Sequence, residues 1–268
     1  MHERWRPMAG LTLVALLMCG VAACGDDDDE SGDTDTETTD GGSGGEGEEA
    51  SGGDFCEAVV AFNTAVFQVD VDESSSEEEI VEVGEQLNPL FDEIEANAPD
   101  SLAADAEELG ATVEALLDGD AEAFNADATF EQYLGLVDGA IDECDFEQST
   151  VTAVDYAFED VPESLSPGTQ AITLDNQSEA DEEHEFVIFR KADGETRSAE
   201  ELLNDPAAEE EGPGEFVGVA FAPPGASASS LVELEAGDYI AACFIPLGGD
   251  ESAPPHFTQG MFTEFSVS

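Results

Sequence analysis

Basic residues are nearly missing from this chain: five Lys and Arg stand against 66 Asp and Glu, for a formal charge of −61. A field of one sign on that scale repels polyanions, which argues against nucleic acid, anionic lipid surfaces and acidic substrates as partners. Histidine is as scarce, with three residues in 268. Neither a zinc-protease motif nor a Ser-His-Asp spacing is present, so the expectation is of a protein that is not an enzyme. The apolar run from Met8 to Ala23 has sixteen residues, short of the roughly 20 that a spanning helix needs, and no basic stop-transfer cluster follows it. No internal repeat is found.

What the N-terminus does have is an export signal. Arg4 and Arg6 precede the apolar run, and small residues follow it, the layout of a cleaved secretory signal peptide over 1–23. The residues Val21-Ala22-Ala23-Cys24-Gly25 resemble a bacterial lipobox, which implies cleavage before Cys24, acylation of that cysteine, and anchorage on the outer face of a cell membrane. Residues 24–54 are almost entirely Asp, Glu, Gly, Ser and Thr. Such a segment buries too little apolar surface to offset chain entropy and reads as a disordered acidic tether, about 30 Å long as a flexible coil.

From Cys24 onward the chain keeps 65 of its 66 acidic residues and three basic ones, Arg190, Lys191 and Arg197, a side-chain charge of −62. Self-repulsion on this scale opposes compaction unless salt screens it, and excess acid with scarce lysine resembles proteins of salt-loving organisms. With Cys19 lost and Cys24 lipidated, three cysteines remain: Cys56, Cys144 and Cys243. Outside the cytoplasm a pair tends to bridge. Cys56 and Cys144 stand at the two ends of one helical region and suit a disulfide, which leaves Cys243 as an odd thiol.

That helical region spans 55–146. Phe55, Val59, Phe62 and Val66 recur at intervals of three and four. Ser76 and Glu79 form a capping box ahead of Ile80, Val83, Leu87, Phe91 and Ile94, a helix that Pro89 is expected to kink. Leu102, Ala106, Leu109, Val113 and Leu116 share a third face, and Phe130, Leu134, Val137 and Ile141 a fourth. Four amphipathic helices on short loops predict an antiparallel four-helix bundle. With no His and no metal-ligand spacing, it carries no evident chemistry.

Residues 147–268 change rhythm. Short runs with Val151, Phe158, Ile172, Leu174, Phe186, Ile188, Val219, Leu231, Tyr239 and Ile240, broken by Gly, Pro and Asn, predict seven or eight strands in an antiparallel β-sandwich. The fold class is thus multidomain α+β. A Ser198-x-x-Glu201 box places a short helix in an acidic excursion from 191 to 215.

The last strands carry the informative residues. Gly237-Asp238-Tyr239-Ile240-Ala241-Ala242-Cys243 leads to Pro255-His256-Phe257 and then Gly260-Met261; upstream stand Ile172-x-Leu174-x-Asn176 and His184-x-Phe186-x-Ile188. From Val151 to Val267 this resembles the cupredoxins, the small blue-copper electron carriers. The resemblance implies copper bound by His184, Cys243, His256 and Met261, with one-electron transfer to a redox protein partner. Two imidazoles, a thiolate and a weak axial thioether suit copper in both oxidation states. The sequence departs from the family twice: twelve residues separate Cys243 from His256, where a few are usual, and Glu185 stands where many members have an Asn that braces the ligand loops. A carboxylate there would harden the site toward Cu(II) or Zn²⁺, and the acidic neighbours of His184 are expected to raise its pKa. Taken singly, each ligand has a plainer role: Cys243 and Met261 in the core, His256 at a loop tip, His184 paired with an acid. The alternative functions are a metal-free cupredoxin-like structural or protein-interaction module on the cell surface, and a solute-binding lipoprotein.

Overall fold

A computed structural model describes residues 52–69, 75–120, 127–179, 182–207, 212–250 and 252–268. The signal segment, Cys24 and the tether up to residue 51 lie outside the described residues, as does the side chain of Phe130. Five α-helices and nine strands are present among them. No helix of these residues is long and apolar enough to cross a membrane.

Four helices come first: α1 (Gly52–Val66), α2 (Glu77–Asn97), α3 (Ala103–Leu117) and α4 (Asp127–Glu143). α1 starts inside the stretch expected to be tether. The capping box at α2 is formed as its spacing requires: Ser76 Oγ accepts the Glu79 N–H at 3.3 Å and the Glu79 carboxylate accepts the Ser76 N–H at 2.7 Å. The helix continues past Pro89. The apolar stripes meet in one core, with Phe62 and Phe91 edge to face at a centroid distance of 5.2 Å. α2 and α3 approach closely at Gly84, where an added Cβ would lie 2.8 Å from the Leu117 backbone nitrogen. Cys56 and Cys144 are joined in a disulfide with Cα atoms 6.0 Å apart and 88 residues apart in sequence. In the chain-entropy picture a closure of that length contributes about 4–5 kcal/mol.

The strands are β1 (Glu147–Val154), β2 (Ala157–Glu159), β3 (Ser164–Leu165), β4 (Gly168–Asn176), β5 (His184–Arg190), β6 (Glu215–Ala222), β7 (Ser227–Leu234), β8 (Gly237–Ala242) and β9 (Phe262–Val267). They build two sheets, in the orders β2-β1-β4-β7 and β3-β9-β8-β5-β6. Both sheets are mixed, which corrects the antiparallel expectation: β1 runs parallel to β4, and β3 parallel to β9. The cause is the route of the chain. After β1 and its short hairpin partner β2, the chain crosses to the other sheet for β3 before β4 returns beside β1, and a crossover of that kind makes parallel neighbours possible.

Alternation along the strands sorts side chains into layers. Phe186 and Ile188 of β5, with Tyr239, Ala241 and Cys243 at β8, face the core between the sheets. Val187, Phe189, Ile240 and Ala242 face outward, against α5 (Ala199–Leu203), the capped helix of the excursion. The four-stranded sheet is covered on its other side by the helices. Ala171 of β4 and Leu231 of β7 belong to the helical core, and the buried Asn63 of α1 donates Nδ2 to the Leu231 carbonyl at 2.6 Å while the Tyr133 hydroxyl of α4 donates to its Oδ1. The result is four layers: helices, sheet, sheet, short helix. A strand such as β5, buried over six successive residues, is held from both faces and makes a stiff support for whatever its first residue carries.

Candidate metal centre

His184 opens β5, Cys243 follows the last residue of β8, and His256 opens a single 3-10 turn before β9. All three are fully buried. Their ligating atoms form a small triangle: His184 Nδ1 to His256 Nδ1 is 3.2 Å, His256 Nδ1 to Cys243 Sγ 3.4 Å, and His184 Nδ1 to Cys243 Sγ 3.9 Å. The point equidistant from the three lies about 2 Å from each, which matches metal–imidazole bonds of about 2.0–2.1 Å and approaches metal–thiolate bonds of about 2.3 Å. The donors are thus already spaced for one metal ion, and they are the one group of His, Cys or carboxylate ligands found together among the described residues.

Twelve residues between Cys243 and His256 do not separate them, because the loop is closed at a neck. Pro246 and Pro255 form an isolated antiparallel bridge, Leu247 N–H donates to the Pro254 carbonyl at 3.1 Å and His256 N–H to the Ile245 carbonyl at 2.9 Å. Residues 247–254 are therefore an excursion beyond the neck, and on the near side Phe257 N–H reaches the Cys243 carbonyl at 2.9 Å. Met261 sits in the same core cluster as Cys243, fully buried. Its carbonyl accepts the Cys243 N–H at 3.1 Å and its N–H donates to the His256 carbonyl at 3.4 Å.

Glu185 is not in the ligand cluster. Its carboxylate accepts the Phe244 N–H at 2.9 Å, so it ties the start of β5 to the residue after Cys243 and serves as a brace. Burial pushes its pKa up to about 7, against the pull of the Phe244 N–H. Asn176 performs a similar task at the end of β4. It donates to the carbonyls of Glu182 (2.9 Å) and Ala222 (3.0 Å) and accepts the Ser178 N–H (3.1 Å), which fixes the loop that leads into His184.

Two residues near the site carried no sequence signal for this role. Tyr156, in the turn between β1 and β2, has φ 58°, a left-handed value uncommon for an aromatic residue. That turn lays its ring edge to face on His256, at a centroid distance of 5.1 Å. Glu182 accepts the Gly248 N–H of the excursion at 3.0 Å through one oxygen, and places the other 3.3 Å from His256 Nε2.

The expected rise in the His184 pKa is reversed. Burial lowers it to about 4, with the neighbouring His256 imidazole adding to the effect and Glu182 and Asp155 opposing it. Burial also lowers His256, against Glu182. The desolvation cost of an imidazolium in this enclosed place exceeds the attraction of nearby carboxylates. The same burial, with the Glu185 carboxylate second, holds the Cys243 thiol well above its ordinary value. Without a metal, then, the pocket keeps neutral imidazoles and a neutral thiol.

Of the four residues that carried the resemblance, His184, Cys243 and His256 are brought to one point at the end of the sandwich, and Met261 lies in the same buried core as Cys243. In its two facing sheets and its buried His-Cys-His cluster, this half of the chain resembles a cupredoxin. Searches with family models and among curated proteins find no match. Among solved structures the chain is similar to auracyanin B, at 20% identity over 46% of this chain and 88% of that one, with a TM-score of 0.31. It is also similar to auracyanin A, a "blue" copper protein from the green thermophilic photosynthetic bacterium Chloroflexus aurantiacus, at 17% identity over 45% of this chain and 99% of that one, TM-score 0.29. A mutant of rusticyanin matches at 20% identity over 46% of this chain and 78% of that one, TM-score 0.29.

Proposed function

We propose that this chain is a copper protein that carries single electrons on the outer side of a membrane, held there by lipid on Cys24, and that it is not an enzyme. The observation behind the redox reading is the enclosed triangle of His184, Cys243 and His256. Copper bound there would supply a one-electron couple between Cu(II) and Cu(I). The chain's residues do the rest. Cys243 offers a thiolate and the two histidines their Nδ1 atoms, in positions fixed by β5, β8 and the loop neck. Met261 would offer a thioether as a weaker fourth ligand, tuning the potential more than holding the metal. We read the four N-terminal helices as an antiparallel bundle that stiffens the sandwich. A redox partner would present a basic face to a chain of this charge.

Copper added to the metal-free protein is expected to bind at one ion per chain with strong visible colour. Near neutral pH binding should release about one proton from the ligands, because the two imidazoles are already neutral and the thiol is not yet ionised. Affinity should rise about tenfold per pH unit through the neutral range as thiolate becomes available, and imidazole protons should compete only in acid, that of His184 near pH 4. Titration in buffers of different ionisation enthalpy checks this. Absence of stoichiometric binding would favour a metal-free interaction module. For the anchor, the intact mass of the native protein should show a chain beginning at Cys24 with a diacylglyceryl group, and two acyl chains suffice for stable attachment. An unlipidated native start elsewhere defeats that part.

A further inference from the structure

The two imidazoles differ on the side turned away from the triangle. Both Nε2 atoms are buried and neither makes a well-formed hydrogen bond, but His256 Nε2 lies 3.3 Å from a Glu182 carboxylate oxygen, close enough for one after a small turn of either group. An imidazole that gives one nitrogen to a metal carries its proton on the other, and a buried N–H without an acceptor is costly. The other Glu182 oxygen is engaged with Gly248 N–H at 3.0 Å, and its backbone carbonyl with Asn176 at 2.9 Å. The carboxylate is therefore held from both ends, between the excursion and the loop before β5.

We propose that Glu182 is the positioning residue of His256: it accepts a hydrogen bond from Nε2–H, so that Nδ1 is the bare nitrogen free to ligate, and places a negative charge behind one ligand that lowers the reduction potential of the centre. This rests on the copper reading for the potential alone; the choice of imidazole tautomer belongs to the protein with or without metal. The charge acts in a definite direction. An anion within hydrogen-bonding distance of a ligand favours Cu(II) over Cu(I), because the higher charge gains more from it. It also explains how a long loop delivers its histidine in a fixed orientation, since the same side chain holds both the loop and the ring.

The test uses the whole chain and two isosteric variants. Glu182→Gln is expected to weaken Cu(II) binding about tenfold relative to Cu(I), a rise in potential of about 59 mV for one electron. Glu183→Gln removes a carboxylate one residue away that forms no ion pair with either ring, and should shift the potential far less. Equal shifts in the two variants would reduce Glu182 to general field and overturn the proposal. Nitrogen-15 spectra of the metal-free wild type give a second reading: His256 should carry its proton on Nε2. A proton on Nδ1 with Nε2 bare overturns it as well, and that result stands even if the protein binds no copper.

Discussion

Cys243→Ser is expected to abolish the visible colour of the copper-loaded protein and to weaken copper binding by two orders of magnitude or more. The colour of such a centre comes from charge transfer out of a sulfur ligand, and serine offers only a hard hydroxyl. The position is fully buried in the core between the sheets, so an unpaired hydroxyl there also costs about 1–3 kcal/mol of stability. Cys243→Ala separates the two effects, since it removes the ligand without burying a polar group. Both variants should lose colour, and circular dichroism should show the sandwich retained. Colour that persists in either variant would mean that the metal is held elsewhere, and the electron-carrier reading would go with it. His184→Ala and His256→Ala should each reduce affinity as well.

The second large effect expected is of salt on stability. The melting temperature should rise by more than about 10 °C between low and molar NaCl. At roughly 2–4 °C per kcal/mol for a chain of this size, that corresponds to several kcal/mol of relieved repulsion. The structure adds a local exception. The chain's three basic residues after Cys24 are all engaged around the 191–215 excursion. Arg190 reaches Asp193, Glu215 and Glu235 at 3.5–3.9 Å, Lys191 reaches Glu264 at 3.7 Å, and Arg197 pairs with Glu195 and Asp205 at 2.5 and 2.6 Å. These are attractive contacts and weaken in salt. Hydrogen exchange should therefore show protection rising with salt in α1–α4 and the sheets, and not in α5. A melting temperature flat across the range would remove salt adaptation as the meaning of the acidity.

Periodicity made much of this legible. Faces follow from spacing alone, so the stripes of α1–α3 and the alternation of Tyr239, Ala241 and Cys243 against Ile240 and Ala242 could be assigned residue by residue, and both capping boxes form where Ser76 and Ser198 put them. In α4 the spacing places Val137 and Ile141, but Leu136 and Ala140 fill the core where it puts Leu134. Partners do not follow from spacing. That β1 lies parallel to β4, or that Ala171 and Leu231 close the helical core, depends on contacts between distant segments that no local pattern encodes. The electrostatics failed for a related reason: acidic neighbours of His184 are visible in sequence, but the burial that outweighs them is a property of the assembled fold. Glu182 reads in the sequence as one of several acids beside His184; that it faces His256 instead is set by the fold.

The neck at Pro246 and Pro255 separates two distances that are usually taken as one. Along the chain, Cys243 and His256 are far apart; across the neck, they are neighbours. Residues 248–253 can therefore lengthen, shorten or change composition over evolutionary time at little cost to the cluster, apart from the hydrogen bond from Gly248 to Glu182. A loop with that freedom is where a protein of this architecture can acquire a new partner while the cluster of His184, Cys243 and His256 stays as it was.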